Sequence, residues 1–205
     1  MNTIKVFFNL QHLLITTTRP GDSTSYKTII ESEEEVFNFR KNPKQLYNEK
    51  HDSNILIITP AVEETLESLF DYAQPVIAAG GIIKNEKNET LIIFRRGYWD
   101  MPKGKVDKGE KIINAAQREV WEETGVEIAT VQEDAKLSYH CYKLKGKDSI
   151  KETHWYHMTA RDGQTKLKPQ AAEGIEHAVW ATDFDIKTLE KKFYPMIWDI
   201  LSHLA

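Results

Sequence analysis

One stretch of the chain, residues 104–126, constrains the fold and the chemistry more than any other. It reads GKVDKGEKIINAAQREVWEETGV. Residues 107–110 have the composition of a turn. Residues 111–124 have helix-forming composition and are followed by Gly125, a residue typical of the position just past a helix C-terminus. The stretch therefore predicts a loop followed by one short helix.

The glutamates of this predicted helix share one face. Glu119, Glu122 and Glu123 stand at i, i+3 and i+4, so their carboxylates point the same way. Such like charges repel, and each pair costs an isolated helix roughly a few tenths of a kcal/mol. Mg²⁺ or Mn²⁺, which prefers clustered hard oxygen ligands, would turn that repulsion into attraction. A charged run of this kind is usually a solvated helix face, but together with Glu110 and Arg118 it predicts a metal-dependent phosphate site.

The complete pattern resembles the Nudix box of the Nudix hydrolases at every defined position. These positions are Gly104, Glu110, Arg118, Glu119, Val120, Glu122, Glu123, Gly125 and Val126. The resemblance implies hydrolysis of a nucleoside diphosphate linked to another moiety, by attack of water on phosphorus with metal ions neutralising the developing charge. It also implies that Glu122 and Glu123 ligate metal, and that Glu119 ligates as well or acts as base. The backbone carbonyl of Lys103 would join these ligands.

Two further residues have expected supporting roles in the chemistry. Arg118 lies four residues before Glu122 and is expected to orient it. In similar enzymes a base comes from a loop before a late strand, which here corresponds to residues 169–176. We expect Glu173 to be that base, with Glu176 as second choice; either is alternatively an ordinary surface carboxylate.

The residues just before the box indicate the substrate. Residues 99–105 resemble the Pro-Lys-Gly-Lys variant of the box, familiar among dinucleoside polyphosphate hydrolases, some inositol pyrophosphate hydrolases and some MutT-type enzymes. Lys103, Lys105, Arg95 and Arg96 are expected to bind substrate phosphates; a solvated basic turn is the alternative. Aromatic residues near the box are candidates for base stacking, among them Tyr98 and Trp99.

Composition limits the partners of the chain. The net charge of −4 over 205 residues gives no global field toward nucleic acid or an anionic membrane, so we expect no DNA or membrane partner and consider RNA unlikely. Cys141 is alone in the sequence, which excludes an internal disulfide and is typical of a reducing cytoplasm. Polar residues interrupt the N-terminal apolar run at 9–12, so neither a signal peptide nor a spanning helix is expected there.

The first 74 residues predict a small α+β unit of order ββαβα. Its predicted strands and helices are Ile4–Phe8, Leu13–Thr17, Glu33–Lys41, Asn54–Thr59 and a helix from Pro60 capped by Thr59. The unit contains neither a glycine-rich phosphate loop nor a set of zinc ligands. It is therefore expected to be a packing or dimerisation module, which makes a homodimer possible, with substrate gating as the alternative.

Residues 75–205 alternate strands with few helices. Strands are predicted at Val76–Lys84, Thr90–Arg96, Glu127–Val131, Leu137–Leu144, His154–Ala160 and His177–Trp180, and a helix is predicted to begin at Pro195. These elements around one box helix resemble the Nudix fold, an α/β/α sandwich with a mixed sheet. The fold class expected for the chain is therefore α/β.

These observations together predict a Mg²⁺-dependent pyrophosphohydrolase with a small-molecule nucleotide substrate, first of all a dinucleoside polyphosphate. A nucleoside triphosphate sanitising enzyme, acting on oxidised nucleotides among others, is the nearest alternative. A Nudix-fold ligand sensor without turnover is a rival of another class, although its carboxylates would typically be lost. An RNA-processing enzyme would require an extended basic face with interleaved aromatic residues.

Overall fold

The computed structural model describes residues 2–8, 11–41, 54–163 and 166–203. The chain forms two compact units. The first consists of residues 1–75 and 139–151, and the second of residues 76–138 and 152–205. The sequence-based division at residue 74 differs from this, because residues 139–151 belong to the first unit.

The first unit combines a hairpin, two parallel strand pairs and two helices. Its elements are β1 (Thr3–Phe8), β2 (Gln11–Thr16), β3 (Tyr26–Ile30), α1 (Glu33–Lys41), β4 (Asn54–Ile58) and α2 (Val62–Phe70). Strands β1 and β2 pair antiparallel, whereas β4 pairs parallel with both β2 and β3. Alternating side chains of these strands pack against α1 and α2 in one hydrophobic core, with Val6, Leu13, Ile15, Ile57 and Leu69 fully buried.

The structure corrects three details of the predicted first unit. Strand β3 is missing from the predicted order, because it forms through a long-range parallel pairing with β4 that the sequence does not show. Helix α2 begins at Val62 rather than Pro60, and Thr59 binds the backbone N–H of Ala61 instead of capping the helix. Residues 9 and 10, between the first two predicted strands, lie outside the described residues.

The second unit is a sheet with the box helix on one face. Its elements are β5 (Gln74–Lys84), β6 (Thr90–Arg95), β7 (Tyr98–Asp100), β8 (Lys103–Lys105), α3 (Ile112–Thr124), β9 (Ile128–Leu144), β10 (Lys147–Ala160), β11 (Ile175–Ala181), α4 (Asp183–Thr188) and α5 (Pro195–Ser202). The strand order is β11-β6-β5-β10-β9, with β7 on β6 and β8 on β5. The first two residues of β5 and the ends of β9 and β10 that lie within residues 139–151 belong to the first unit.

The box helix packs on this sheet through small and branched side chains. Ala115, Ala116 and Val120 of α3 are fully buried in one cluster with residues of β5, β6 and β10.

Parallel and antiparallel pairs occur together in the strands, so the α/β fold with a mixed sheet is confirmed. The two strands predicted at 127–131 and 137–144 are one continuous strand, β9. No helix among the described residues is long and apolar enough to cross a membrane.

Candidate active site

Close backbone approach builds the loop that precedes the box helix. Gly80 of β5 pairs with Lys103 of β8, and a Cβ atom on Gly80 would overlap the side chain of Lys103. A Cβ atom on Gly104 would overlap all three terminal atoms of the Glu119 carboxyl group. The glycine at position 104 therefore lets the Glu119 carboxylate lie directly against the loop.

Arg118 connects the loop to the box carboxylates. Its guanidinium binds both carboxylate oxygens of Glu110 at 2.9 Å, Glu119 Oε1 at 2.8 Å and Glu122 Oε2 at 3.1 Å. It also donates to the carbonyl oxygen of Lys105 at 3.1 Å. The paired hydrogen bonds to Glu110 are the strong bidentate kind. Arg118 thus fixes the directions of three glutamates at once, including the predicted contact with Glu122.

These contacts and burial shift the pKa values of two glutamates in opposite directions. The hydrogen bonds from Arg118 and then from the backbone of Asp107 lower the pKa of Glu110 to about 2. Burial raises the pKa of Glu119, although Arg118 opposes this, and the charges of Glu122 and Glu173 raise it further. Glu122 and Glu173 are therefore each near enough to repel the Glu119 carboxylate.

Glu123 is the most buried carboxylate of the box, with only 2% of its surface exposed. Its Oε2 accepts the backbone N–H of Lys103 at 2.9 Å, and its Oε1 accepts a hydrogen bond from Arg95 Nη1 at 3.4 Å. Burial raises the pKa of Glu123 to about 7, despite the opposing charges of Lys103 and Arg95. Because burial disfavours the ionised form of Glu123, a bound cation would stabilise that form.

Asp100 is a buried acid that the sequence reasoning did not single out. Its Oδ2 accepts from Lys103 Nζ at 2.6 Å and from Arg95 Nε at 3.0 Å. Burial alone would raise the pKa of Asp100, but the charges of Lys103 and Arg95 outweigh it and lower the pKa. Asp100 lies in a short strand just before Met101 and Pro102. The sequence gives no signal of its burial, because an aspartate at such a position is ordinarily exposed in a turn or at a sheet edge.

The structure separates the four basic residues expected to bind substrate. The Lys103 ammonium is buried and bound to Asp100, and Arg95 is bound to Asp100 and Glu123, so both cations have partners inside the protein. For Lys103 and Arg95 the role of phosphate ligand therefore stays a prediction, which these contacts do not favour. Arg96 and Lys105 have exposed side chains and keep that role as a prediction.

The predicted base lies on a segment that is attached to the end of the box helix. The backbone N–H groups of Lys168 and Gln170 donate to the carbonyls of Thr124 and Glu123 at 2.8 and 3.1 Å. Glu173 then ends a short 3₁₀ helix, Ala171–Glu173, with an exposed side chain. Glu176 is also exposed, but lies on β11.

The donor set of the box fits a divalent cation. Among the described residues, no three His, Cys, Asp or Glu side chains converge as a ready metal site. Glu119 and Glu122 point toward Arg118, and Glu123 binds Lys103 and Arg95. Nevertheless, hard oxygen donors repel one another here, and burial disfavours their ionisation. Both effects are relieved by a cation such as Mg²⁺.

A mixed sheet that carries a loop and a helix of glutamates joined by one arginine defines a hydrolase of the Nudix class. The model of the NUDIX domain matches residues 74–200. The chain therefore belongs to the Nudix hydrolase family, whose members act on phosphoanhydride bonds and generally use a divalent metal ion.

Several known proteins are similar to this chain. An RNA pyrophosphohydrolase of Pelagibacter ubique is 32% identical over 111 residues, which cover 47% of this chain and 70% of that protein. The mRNA-decapping enzyme subunit 2 of Saccharomyces cerevisiae is 26% identical over 139 residues, but these span only 13% of its length. A solved structure of a MutT protein from Bacillus halodurans has a TM-score of 0.50 at 23% identity, covers 63% of this chain and 81% of its own, and shares the fold.

Proposed function

We propose that the protein is a Mg²⁺-dependent pyrophosphohydrolase that cleaves the polyphosphate chain of a nucleoside derivative, with a dinucleoside polyphosphate as the expected substrate. The observation that carries this proposal is the contact of Arg118 with Glu110, Glu119 and Glu122, beside the buried Glu123. Mn²⁺ is expected to replace Mg²⁺, since both prefer carboxylate oxygens.

The proposed metal ligands are Glu119, Glu122, Glu123 and the backbone carbonyl of Lys103. When bound there, the cation would neutralise charge that develops on the phosphoanhydride oxygens and would favour ionisation of the attacking water. Arg118 holds Glu119 and Glu122 in place for this, because its guanidinium binds both. Its part in the reaction is therefore to position carboxylates.

Glu173 is proposed as the base that accepts the proton of the attacking water. Its exposed carboxylate is close enough to Glu119 to raise the pKa of that residue, and the attachment of residues 168–170 to α3 fixes its segment. The water oxygen forms a bond to phosphorus, the bond from phosphorus to the bridging oxygen breaks, and the leaving phosphate carries away the electron pair. Arg96 and Lys105 are proposed to bind phosphate oxygens with their exposed cations.

A second candidate substrate is the 5′-polyphosphate end of an RNA. The Pelagibacter relative is named an RNA pyrophosphohydrolase, and a second one from Roseobacter denitrificans is 34% identical over 115 residues. The sequence alone made RNA an unlikely partner because the net charge is −4. An RNA 5′ end nevertheless presents the same phosphoanhydride to the site as a free nucleotide, so its recognition needs no extended basic face.

Turnover of a substrate panel tests the proposal. The panel contains a dinucleoside tetraphosphate, ordinary and oxidised nucleoside triphosphates and a short 5′-triphosphate RNA, each with and without Mg²⁺. The Glu123→Gln variant should be inactive, whereas the matched surface variant Glu133→Gln should retain the parent rate. Faster turnover of the RNA than of the dinucleotide would move the assignment to the second candidate. Metal-independent turnover, or full activity of Glu123→Gln, would contradict the proposal.

The first unit and the location of the protein are also matters of proposal. We propose that the first unit is a packing or dimerisation module, and that the protein acts in the cytoplasm, where its single cysteine would stay reduced. Light scattering of the purified protein measures its mass directly. A monomer at micromolar concentration would exclude dimerisation as the purpose of this unit.

A further inference from the structure

Four charged residues form a closed ring of contacts beside the box helix: Asp100, Arg95, Glu123 and Lys103. On one side of the ring, Asp100 Oδ2 accepts from Arg95 Nε at 3.0 Å and from Lys103 Nζ at 2.6 Å. On the other side, Glu123 accepts from Arg95 Nη1 at 3.4 Å and from the backbone N–H of Lys103 at 2.9 Å. Asp100 therefore contacts both residues that donate to Glu123.

Burial makes the charge balance of this ring important. Asp100 is 1% exposed, Glu123 2% and Lys103 7%, so none of them can rely on water to stabilise its charge. Two anions and two cations balance in the ring. Removal of one partner from such a group leaves an uncompensated buried charge, which is far more costly than the loss of a surface ion pair.

The distances show that both cations are held by Asp100 more closely than by Glu123. Arg95 lies 3.0 Å from Asp100 but 3.4 Å from Glu123, and the Lys103 ammonium bonds to Asp100, whereas Glu123 receives only the backbone N–H of that residue. Asp100 itself is fixed, because its Oδ1 accepts the backbone N–H of Met101 at 2.8 Å. Shorter charge-assisted bonds are the stronger ones.

We propose that Asp100 is a positioning residue for the metal site: by binding Arg95 and Lys103 more closely than Glu123 does, it limits their pairing with the Glu123 carboxylate, which then stays available to a divalent cation. This inference rests on the proposed function, in which Glu123 is a metal ligand. Without the Asp100 charge, Glu123 would be the remaining carboxylate in contact with Arg95 and Lys103. The carboxylate would then be occupied internally and would bind metal poorly.

Binding of Mn²⁺ alone to the full chain, followed by electron paramagnetic resonance, tests this without substrate or turnover. The Asp100→Asn variant is expected to bind Mn²⁺ about 10–100-fold more weakly than the parent, the usual loss when a residue that supports a metal ligand is changed. The surface variant Asp134→Asn makes the same chemical change at an exposed position and should bind as the parent does.

A double variant separates charge compensation from packing. Asp100→Asn combined with Lys103→Met removes one buried anion and one buried cation, so the balance around Glu123 is restored while the Lys103 carbonyl remains. It is expected to regain most of the lost Mn²⁺ affinity. A purely structural role of Asp100 would instead make the double variant at least as weak as the single one.

Each outcome decides the matter. Parent-like Mn²⁺ binding by Asp100→Asn, or no recovery in the double variant, would overturn the role of Asp100 while leaving the metal site intact. If Asp100→Asn does not fold, the double variant decides alone: binding close to that of the parent supports the inference, and a tenfold loss overturns it. A parent that binds no Mn²⁺ would instead refute the proposed function, and this inference with it.

Discussion

The buried carboxylate of Glu123 should make the metal-free protein less stable as the pH rises. The pKa of a glutamate in the unfolded chain is close to 4.5, whereas burial raises that of Glu123 to about 7 in the folded protein. Between these values the folded state binds a proton that the unfolded state does not. The contribution of Glu123 is therefore most favourable below about pH 4.5 and is lost as the pH rises through about 7.

The Glu123→Gln variant isolates this effect because glutamine cannot ionise. A pKa difference of this size corresponds to at most about 3 kcal/mol. Relative to the parent, the variant should therefore gain up to about that amount between pH 5 and pH 8, measured in EDTA. For domains of this size the gain corresponds to a rise in Tm of roughly 6–12 °C.

Thermal unfolding of both proteins at pH 5 and pH 8 measures the gap, with Glu133→Gln as the exposed control that should show none. Addition of Mg²⁺ at pH 8 should then close or reverse the gap, because only the parent gains binding energy. If the difference in Tm between parent and variant is the same at both pH values, burial does not disfavour the ionised form of Glu123, and the prediction is refuted.

Three further predictions concern the loop and its contacts. Replacement of Glu110 by glutamine should lower stability at neutral pH, because Arg118 lowers the pKa of Glu110 to about 2. The difference in stability from the parent should disappear as the pH falls from about 4.5 toward 2. Denaturant titrations across that range measure this difference, and one that persists at pH 2 would contradict the prediction. Gly104→Ala should displace the Glu119 carboxyl group and reduce kcat on the order of 100-fold, as for other misplacements near 1 Å. The circular dichroism spectrum should stay unchanged. A parent-like kcat would be inconsistent with the close approach of Gly104 to Glu119. Lys105→Ala should raise KM for a polyphosphate substrate more than it lowers kcat, and steady-state kinetics showing the reverse would exclude phosphate binding by this side chain.

The sequence predicted the box helix well, because the composition and the terminal glycine that indicate it lie within the helix segment and directly after it. The composition of residues 111–124 indicated a helix, and the structure has one at Ile112–Thr124. Gly125 ends it in the left-handed conformation with φ of 73°, as expected of a glycine just past a helix. The four-residue spacing likewise predicted the contact of Arg118 with Glu122, since residues i and i+4 are neighbours on one face of a helix.

Contacts between distant segments could not be predicted in this way. Strand β3 forms through pairing with β4, more than twenty residues later. The same limit applies to Lys103, whose ammonium was expected to bind substrate phosphate or, alternatively, to lie in a solvated turn. Its burial depends on Asp100 and on the pairing of β8 with β5, neither of which a basic turn in the sequence reveals.

Hydrolysis of diadenosine tetraphosphate in ¹⁸O-labelled water, with products resolved by mass, tests the central claim most directly. Label is expected to enter a phosphate product only when Mg²⁺ is present, and Glu123→Gln is expected to incorporate none. Equal incorporation by the parent in EDTA and in Mg²⁺, or incorporation by Glu123→Gln at the parent rate, would contradict the claim that these carboxylates form a metal-dependent phosphoanhydride hydrolase site.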